Sequence, residues 1–485
     1  MGIVTEVDLL QYRRTKIVAT LGPASREETV IRRLIGAGVN VIRLNMSHGD
    51  HDGHAQIYHR VRAIAAGLHQ PVAVFADLCG PKIRVGKFAD GQIDLTAGDR
   101  VTITTRDVIG APGLIPSQYE ALARDVRTGD RILLNDGALE LRVEEIAGTE
   151  IGCTVIHGGT LKNHKGINLP RVNVSAPSLT DKDRTDARFA LDLGVDFLAL
   201  SFVRRAEDVR ELRELIATTG SDAGIIAKIE KPEALENASA IIEAADAIMV
   251  ARGDLGVELN PEQVPIAQNQ LIQRARARSR PVIVATQMLE SMIESARPTR
   301  AEVTDISHAV AAGADAVMLS AETASGQHPV EAVEMMVRIA RQTEAYHFWQ
   351  RRSAWSGDIS ARHDGPTAFG EAVADAAARL AYDLEARAVI VISRSGMSAV
   401  TVSAARPSAP VVAVTSGERT ARRMNLMWGV LPVLDQGAGS EHPHQVARRV
   451  VRDLDLAAPG DFIILVRGFH SDPALNSPSI TLLAV

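Results

Sequence analysis

Short apolar, β-branched runs punctuate the chain at 16–20 (KIVAT), 39–45 (VNVIRLN), 72–77 (VAVFAD), 196–202 (DFLALSF), 225–229 (IIAKI), 247–251 (AIMVA), 282–286 (VIVAT) and 316–320 (AVMLS). Between most of them apolar residues recur at helical spacing, as in 26–37, 54–67, 205–217, 263–278 and 330–345. Strands alternating with amphipathic helices predict parallel βα units. Eight such units predict an α/β fold built on a TIM (β/α)8 barrel, with its chemistry where strands end and loops begin. The third unit is interrupted. After Asp77 the pattern changes to short β-type runs separated by Gly, Asp and Asn turns (VTITT, RILLNDG, LELRVEEIAGTEIGCTVI), and it returns to helical spacing at SLTDKDRTDARFALDLG. Residues 79–170 are therefore predicted to form an inserted β-rich, barrel-like lid over a barrel made of 1–78 and 171–345. Beyond 346 comes a polar stretch (RRSAWSGDISARHDGPTA), then a helix over 367–383 and strands near 388–392, 411–414, 462–466 and 479–484. This predicts a separate C-terminal α/β domain, 346–485, with a mixed sheet.

Composition narrows the function classes. The 485 residues suit about three domains. With 53 basic against 59 acidic residues, a net charge of -6, the chain has no nucleic-acid footprint and no polybasic membrane segment. Aromatics at 4% leave little for base-stacking platforms. Cys79 and Cys153 are the only cysteines, which excludes a disulfide framework and a four-cysteine zinc site and points to a reducing compartment. No apolar run reaches the roughly 18 residues of a membrane span, and MGIVTEVDLLQYRR lacks a signal-peptide core. A cytoplasmic protein with a small or polar ligand is expected. Of the basic residues only eight are lysines, none beyond Lys231.

Residues two apart on a strand share a face. In RLNMSHG this puts Arg43, Asn45 and Ser47 in one row at the second strand's end. A ligand at the barrel mouth would supply partners for that row, and a self-satisfied polar layer is the competing reading. In IIAKIEKPE, Lys228 and Glu230 repeat the pattern inside an apolar strand, and Asp254 follows the next strand between Gly253 and Gly256. Two carboxylates with open positions suit Mg²⁺ completed by phosphate oxygens. The alternative is a structural ion-pair network. The glycines would let backbone N–H groups approach an anion. Asp77, Thr286, and Ser320 with Glu322 add polar groups at further strand ends; a lone threonine there also reads as a turn residue.

The segments KIVATLGPAS, NVIRLNMSHG, DLCGPKIRVG, IIAKIEKPEAL, IMVARGDLGVEL, PVIVATQMLESMIESARPTRAEVTD and DAVMLSAETASGQHPVEAV resemble, in order and spacing, the signature segments of pyruvate kinases, across residues 16–335. The resemblance implies phosphoryl transfer from phosphoenolpyruvate to ADP, giving ATP and pyruvate, in a homotetramer. It implies phosphate contacts by Arg43 and Arg84, with Lys228 the catalytic lysine facing the phosphoryl group. Glu230 and Asp254 would hold Mg²⁺ or Mn²⁺. Thr286, with Ser320 and Glu322 behind it, would protonate the enolate. Lys182 would touch the nucleotide, Asn45, His48 and Gly253 the substrates, and Asp136 would act from the lid.

Two departures matter. Members that require potassium read DTKGPEIR where this chain has Leu78 and Lys82. Asn45, Ser47 and Asp77 match the remaining monovalent-ion ligands, so a Lys82 ammonium in the place of that ion predicts activity without potassium; a solvated Lys82 is the alternative. SRSGMSA, between a strand and a helix, matches the family's effector loop, making Ser393, Ser395, Gly396 and Ser398 candidates for a sugar phosphate or AMP. Alone such a loop also reads as a helix cap, and the final loop RGFHSDPALNSPSI lacks the glycine-rich run that closes over the effector in the family. The competing functions are a phosphoenolpyruvate- or pyruvate-binding TIM-barrel lyase and a non-catalytic metabolite sensor.

Overall fold

The computed structural model describes residues 10–354, 369–438, 440–470, 472 and 475–485. The opening residues, most of the polar connector after the barrel (355–368) and three positions of the final loop lie outside them. Eight parallel strands close into a barrel in sequential order: Lys16–Thr20, Val41–Asn45, Ala73–Asp77, Phe197–Leu200, Gly224–Ile229, Ala247–Ala251, Val282–Ala285 and Ala316–Leu319. Each expected strand is present. Its interior is filled by alternate residues, including Val18, Val41, Phe75, Ala199, Ile226, Met249, Ile283 and Met318, all nearly inaccessible to solvent. Each fully buried aliphatic or aromatic side chain of this kind contributes about 1.5–3 kcal/mol. The same parity, carried two residues further, delivers Thr20, Arg43, Asp77, Ser201, Lys228 and Glu230 to the mouth. The pairing of Arg43 with Phe75 and of Asn45 with Asp77 fixes that register.

Three strands end earlier than the apolar pattern suggests. The seventh stops at Ala285 because Thr286 and Gln287 take φ of 71° and 54°, and the fourth stops before Phe202, with φ of 54°. Left-handed backbone in a β-branched residue is uncommon and terminates pairing. The eighth stops at Leu319.

The insertion forms a six-stranded sheet and a two-stranded ribbon, Gln92–Leu95 with Gly159–Lys162, around one apolar cluster holding Ile93, Ile103, Leu141 and Leu161. Its entry demands a glycine. A Cβ on Gly80, at φ of 68°, would lie 2.6 Å from the Phe202 ring and 3.0 Å from Ser201 Cβ. The Gly80 N–H donates to Asp183 Oδ1 at 3.0 Å, and Asp183 also completes a capping box with Thr180 that starts the helix Asp181–Leu193.

The C-terminal sheet has five strands, in the order Val430–Leu434, Val411–Thr415, Val389–Ile392, Phe462–Arg467, Ser479–Ala484, the last antiparallel. The sequence pattern hides Val430–Leu434 because of Pro432, which is tolerated on this edge position.

The segment Asn425–Val430 plugs the base of the barrel. Leu426 joins the interior cluster, Gly429 N–H donates to Arg14 O at 2.8 Å, and Lys16 Nζ donates to Val430 O at 2.6 Å. Burial, reinforced by the Arg13 and Arg14 charges against Glu344, draws the Lys16 pKa down to about 7. Between that value and 10.5, where an unfolded lysine titrates, the unfolded chain binds more protons, so stability rises with pH; below about 7 both states are protonated and the slope vanishes. The slope from this group reaches about 1.4 kcal/mol per pH unit. Lys16→Met should remove it, as denaturant unfolding at about pH 6, 7.5 and 9 would measure; an unchanged pH profile would contradict the buried-ammonium account.

Candidate active site

One cavity of about 70 Å³ at the barrel mouth collects Arg43, Asn45, Ser47, Asp77, Lys82, Lys228, Glu230, Asp254 and Thr286. At its centre Lys228 Nζ donates to Ser201 Oγ at 2.7 Å and lies 3.1 Å from Asp77 Oδ1 and 2.9 Å from Glu230 Oε1. Burial works against the ammonium, but Asp77 and Glu230 outweigh it and raise its pKa above the ordinary lysine value. Burial also opposes the Asp77 charge, yet Lys228 and Arg43 hold this carboxyl below the usual carboxylate range. Arg43 Nε donates to Asp77 Oδ2 at 2.7 Å and Nη1 to Thr20 Oγ1 at 3.2 Å, leaving part of the guanidinium fork toward the cavity.

Glu230 is different. Burial pushes its pKa up; the Lys228 charge opposes this and the nearby Asp254 charge adds to it. One oxygen accepts from Phe202 N–H at 2.8 Å. The other, Oε1, is buried and meets the Lys228 ammonium at 2.9 Å. Asp254, in the first turn of the short helix Arg252–Glu258, faces the same cavity. Two carboxylates that converge on one cavity are a donor set a divalent cation would complete. Among the described residues no group of three or more His, Cys, Asp or Glu is arranged to hold a metal, so the protein offers only part of a coordination shell.

Thr286 is held from several sides. Gly253 N–H donates to its Oγ1 at 2.7 Å, and Oγ1 donates to Ala285 O at 2.6 Å. The Gly253 N–H is thus spent on Thr286 rather than left for an anion. Arg252, buried and paired with Asp305 at 2.6 Å, donates to Thr286 O at 2.7 Å. The two Glu322 oxygens accept from Leu289 N–H at 3.1 Å and Ser320 N–H at 2.7 Å, so Glu322 ties the loop after the seventh strand to the end of the eighth. Burial raises its pKa against those hydrogen bonds.

The remaining expected residues surround this centre. Lys82 is exposed on the cavity's edge, and its charge, with those of Arg84 and Arg43, adds to desolvation in lowering the pKa of exposed His48. A wider cleft of about 270 Å³ joins Lys82, Arg84 and Asp254 to Asp136 of the lid. Lys182 sits apart, donating to Met46 O at 2.9 Å and to Asp186, which also pairs with His51. In the C-terminal sheet, Ser393 Oγ accepts from Gly396 N–H at 3.0 Å; Ser393 and Ser398 are buried and Ser395 is exposed.

Sequence reasoning missed Ser201, Arg252, and the buried pair of Lys231 with Glu258. A hydroxyl directly after the apolar run of the fourth strand was a signal for Ser201. Arg252 carried no local signal, because its short contacts, to Asp305 and Thr286, lie 53 and 34 residues away.

The fold and this mouth define a phosphotransferase on a TIM barrel. The pyruvate kinase barrel-domain family matches residues 12–333, and the pyruvate kinase alpha/beta-domain family matches 371–477. The chain is 46% identical to pyruvate kinase 2 of Synechocystis sp. over 462 residues, covering 94% of this chain and 76% of that protein. It is 44% identical to the pyruvate kinase of Agrobacterium vitis, covering 94% of each. A crystal structure of a pyruvate kinase from Cryptosporidium parvum superposes with a TM-score of 0.89 at 37% identity, covering 97% of this chain and 96% of that one. The chain belongs to the pyruvate kinase family. No helix among the described residues is long and apolar enough to cross a membrane.

Proposed function

We propose that the chain transfers the phosphoryl group of phosphoenolpyruvate to ADP with Mg²⁺ or Mn²⁺, without requiring potassium, and under activation by a sugar phosphate or AMP. The observation that carries this reading is the Lys228 ammonium set between two buried carboxylates, with Arg43 and Asp254 facing the same cavity. Arg43 and Arg84 present planar forks suited to phosphate oxygens. Lys228 offsets the charge of the phosphoryl group in flight, where positioning and charge stabilisation provide most of the acceleration. Glu230 and Asp254 would hold the divalent ion, and their convergence on one cavity supports that assignment. When bound there, the ion neutralises phosphoryl and carboxylate oxygens. Thr286 Oγ1 turns its proton from Ala285 O toward the methylene carbon of the enolate, while Gly253, Arg252 and Glu322 keep the hydroxyl in place. Lys182 and the lid residue Asp136 attend the nucleotide.

Lys82, on the same cavity as Asn45, Ser47 and Asp77, supports a fixed ammonium in place of a monovalent ion. The Ser393–Ser398 loop at the start of the helix Met397–Ala404 supports an effector phosphate there. We further assign the barrel to 1–78 and 171–345, the lid to 79–170 and the effector domain to 346–485, each with its own apolar clusters. Exposed Phe462 and Leu482 on one face of the C-terminal hairpin support a homotetramer, and two free cysteines support the cytoplasm.

A coupled pyruvate assay tests the reading. Pyruvate should appear only with ADP, since ADP-independent release would indicate a lyase and no release a sensor. Rates in potassium and in a tetraalkylammonium salt should agree within a few-fold; a dependence of about tenfold or more, some 1.4 kcal/mol of stabilisation, would overturn the Lys82 assignment. At sub-saturating phosphoenolpyruvate, ribose 5-phosphate or AMP should raise the rate more than fructose bisphosphate, and silence of all three would remove the effector site.

A further inference from the structure

A second cavity, of about 110 Å³, lies at the base of the barrel where it meets the C-terminal sheet. Its walls carry three guanidinium groups, Arg14, Arg276 and Arg406, and three aromatic rings, Phe348, Tyr382 and Trp428. Among the described residues one carboxylate stands on the wall, Glu344, which accepts from the N–H groups of Arg14 and Thr15 at 2.9 and 2.6 Å and whose charge acts on Arg14. Arg406 is 9% exposed; it pairs with Asp315 at 2.9 Å, donates to Gly313 O at 2.8 Å and stacks 4.8 Å above Trp428, yet its Nε is buried with no partner among the described residues. Arg14 is 6% exposed, and its guanidinium donates to Tyr12 O at 3.1 Å and Ser408 O at 3.3 Å. Burial draws its pKa down to about 10, with Glu344 opposing. Glu344 and Asp315 offset part of this charge, and a bound anion would add to that offset while giving the buried Arg406 Nε an acceptor.

We propose that this cavity binds a small organic anion, its carboxylate or phosphate among Arg14, Arg276 and Arg406 and its body against Phe348, Tyr382 and Trp428. The site is separate from the Ser393–Ser398 loop. The two flank opposite ends of the helix Met397–Ala404, which spans about 12 Å at 1.5 Å per residue. It also reaches the barrel, because Asp315, the partner of Arg406, accepts from Val282 N–H at 3.0 Å and so joins the bases of the seventh and eighth strands.

Isothermal titration of the full chain, with phosphoenolpyruvate and Mg²⁺ saturating the barrel mouth, would use phenyl phosphate, phenylacetate and benzyl alcohol as probes. At least one anion should bind, about tenfold or more tighter than the alcohol, the least expected of a charge-assisted hydrogen bond; which anion binds identifies the headgroup. Ala311→Trp, at an exposed position on the cavity wall, should fill the space and abolish binding without removing a buried partner. Arg406→Gln should weaken binding about tenfold if it folds. Failure of both anions to bind, equal binding of the alcohol, or binding unaffected by Ala311→Trp would each overturn the proposal.

Discussion

Replacing Lys228 with Met is expected to lower kcat by about 10³- to 10⁵-fold, the range associated with removing a transition-state cation in phosphoryl transfer. Among the described residues the ammonium alone touches Asp77, Glu230 and Ser201 together, and it faces the cavity where the phosphoryl group would travel. The substitution also strands two buried carboxylates. Removing one partner of a buried ion pair costs about 3–5 kcal/mol, so the unfolding midpoint should fall as well. The two effects separate experimentally. Metal binding through Glu230 and Asp254 should survive in the folded fraction while turnover is lost; turnover within tenfold of the native enzyme, in a variant shown to be folded, would sink the assigned role.

Thr286→Ala should lower kcat by about 10²-fold or more, the usual contribution of a positioned general acid. The signature lies in which half of the reaction fails. If phosphoryl transfer depends on Lys228 and the arginines as proposed, ATP should form in a single turnover at close to the native rate. The enolate would then leave unprotonated and ketonise in solution, and methyl groups made from stereospecifically labelled phosphoenolpyruvate should be racemic. Thr286→Ser keeps the hydroxyl and should restore most of the activity. Retained stereospecificity in Thr286→Ala, or an equal loss of single-turnover ATP formation, would assign Thr286 a purely structural role. That alternative is real, because the residue holds φ of 71° and ends a strand.

Much of this was written in the spacing of the chain. The eight barrel strands follow from runs of β-branched residues, and the active-site row from the period of two that links Phe75 to Asp77 and Ile226 to Lys228 and Glu230. What escaped reading depends on long-range partners or on backbone geometry that composition does not encode. Thr286 looks like the last strand residue until its left-handed φ, fixed by Arg252, Gly253 and the brace of Glu322, turns the hydroxyl. Val430–Leu434 contains a proline and is recognisable as a strand only once its edge position is known. Lys82 was legible as a substitution in a motif, but its exposure on the cavity edge depends on the lid's entry angle, set by Gly80 against Phe202.

The plug at the base of the barrel has a consequence for how the chain is made. The barrel's last strand ends at Leu319, but the segment that covers its floor ends at Val430, 430 − 319 = 111 residues later. At about 5–20 residues per second, a nascent barrel waits on the order of ten seconds with the lower ends of its strands uncovered. During that interval Val18, Ile283 and Met318 lack Leu426 beneath them, and Lys16 can hydrate freely. The ammonium that burial draws toward neutrality in the finished protein would thus keep the open floor polar until its cover is made.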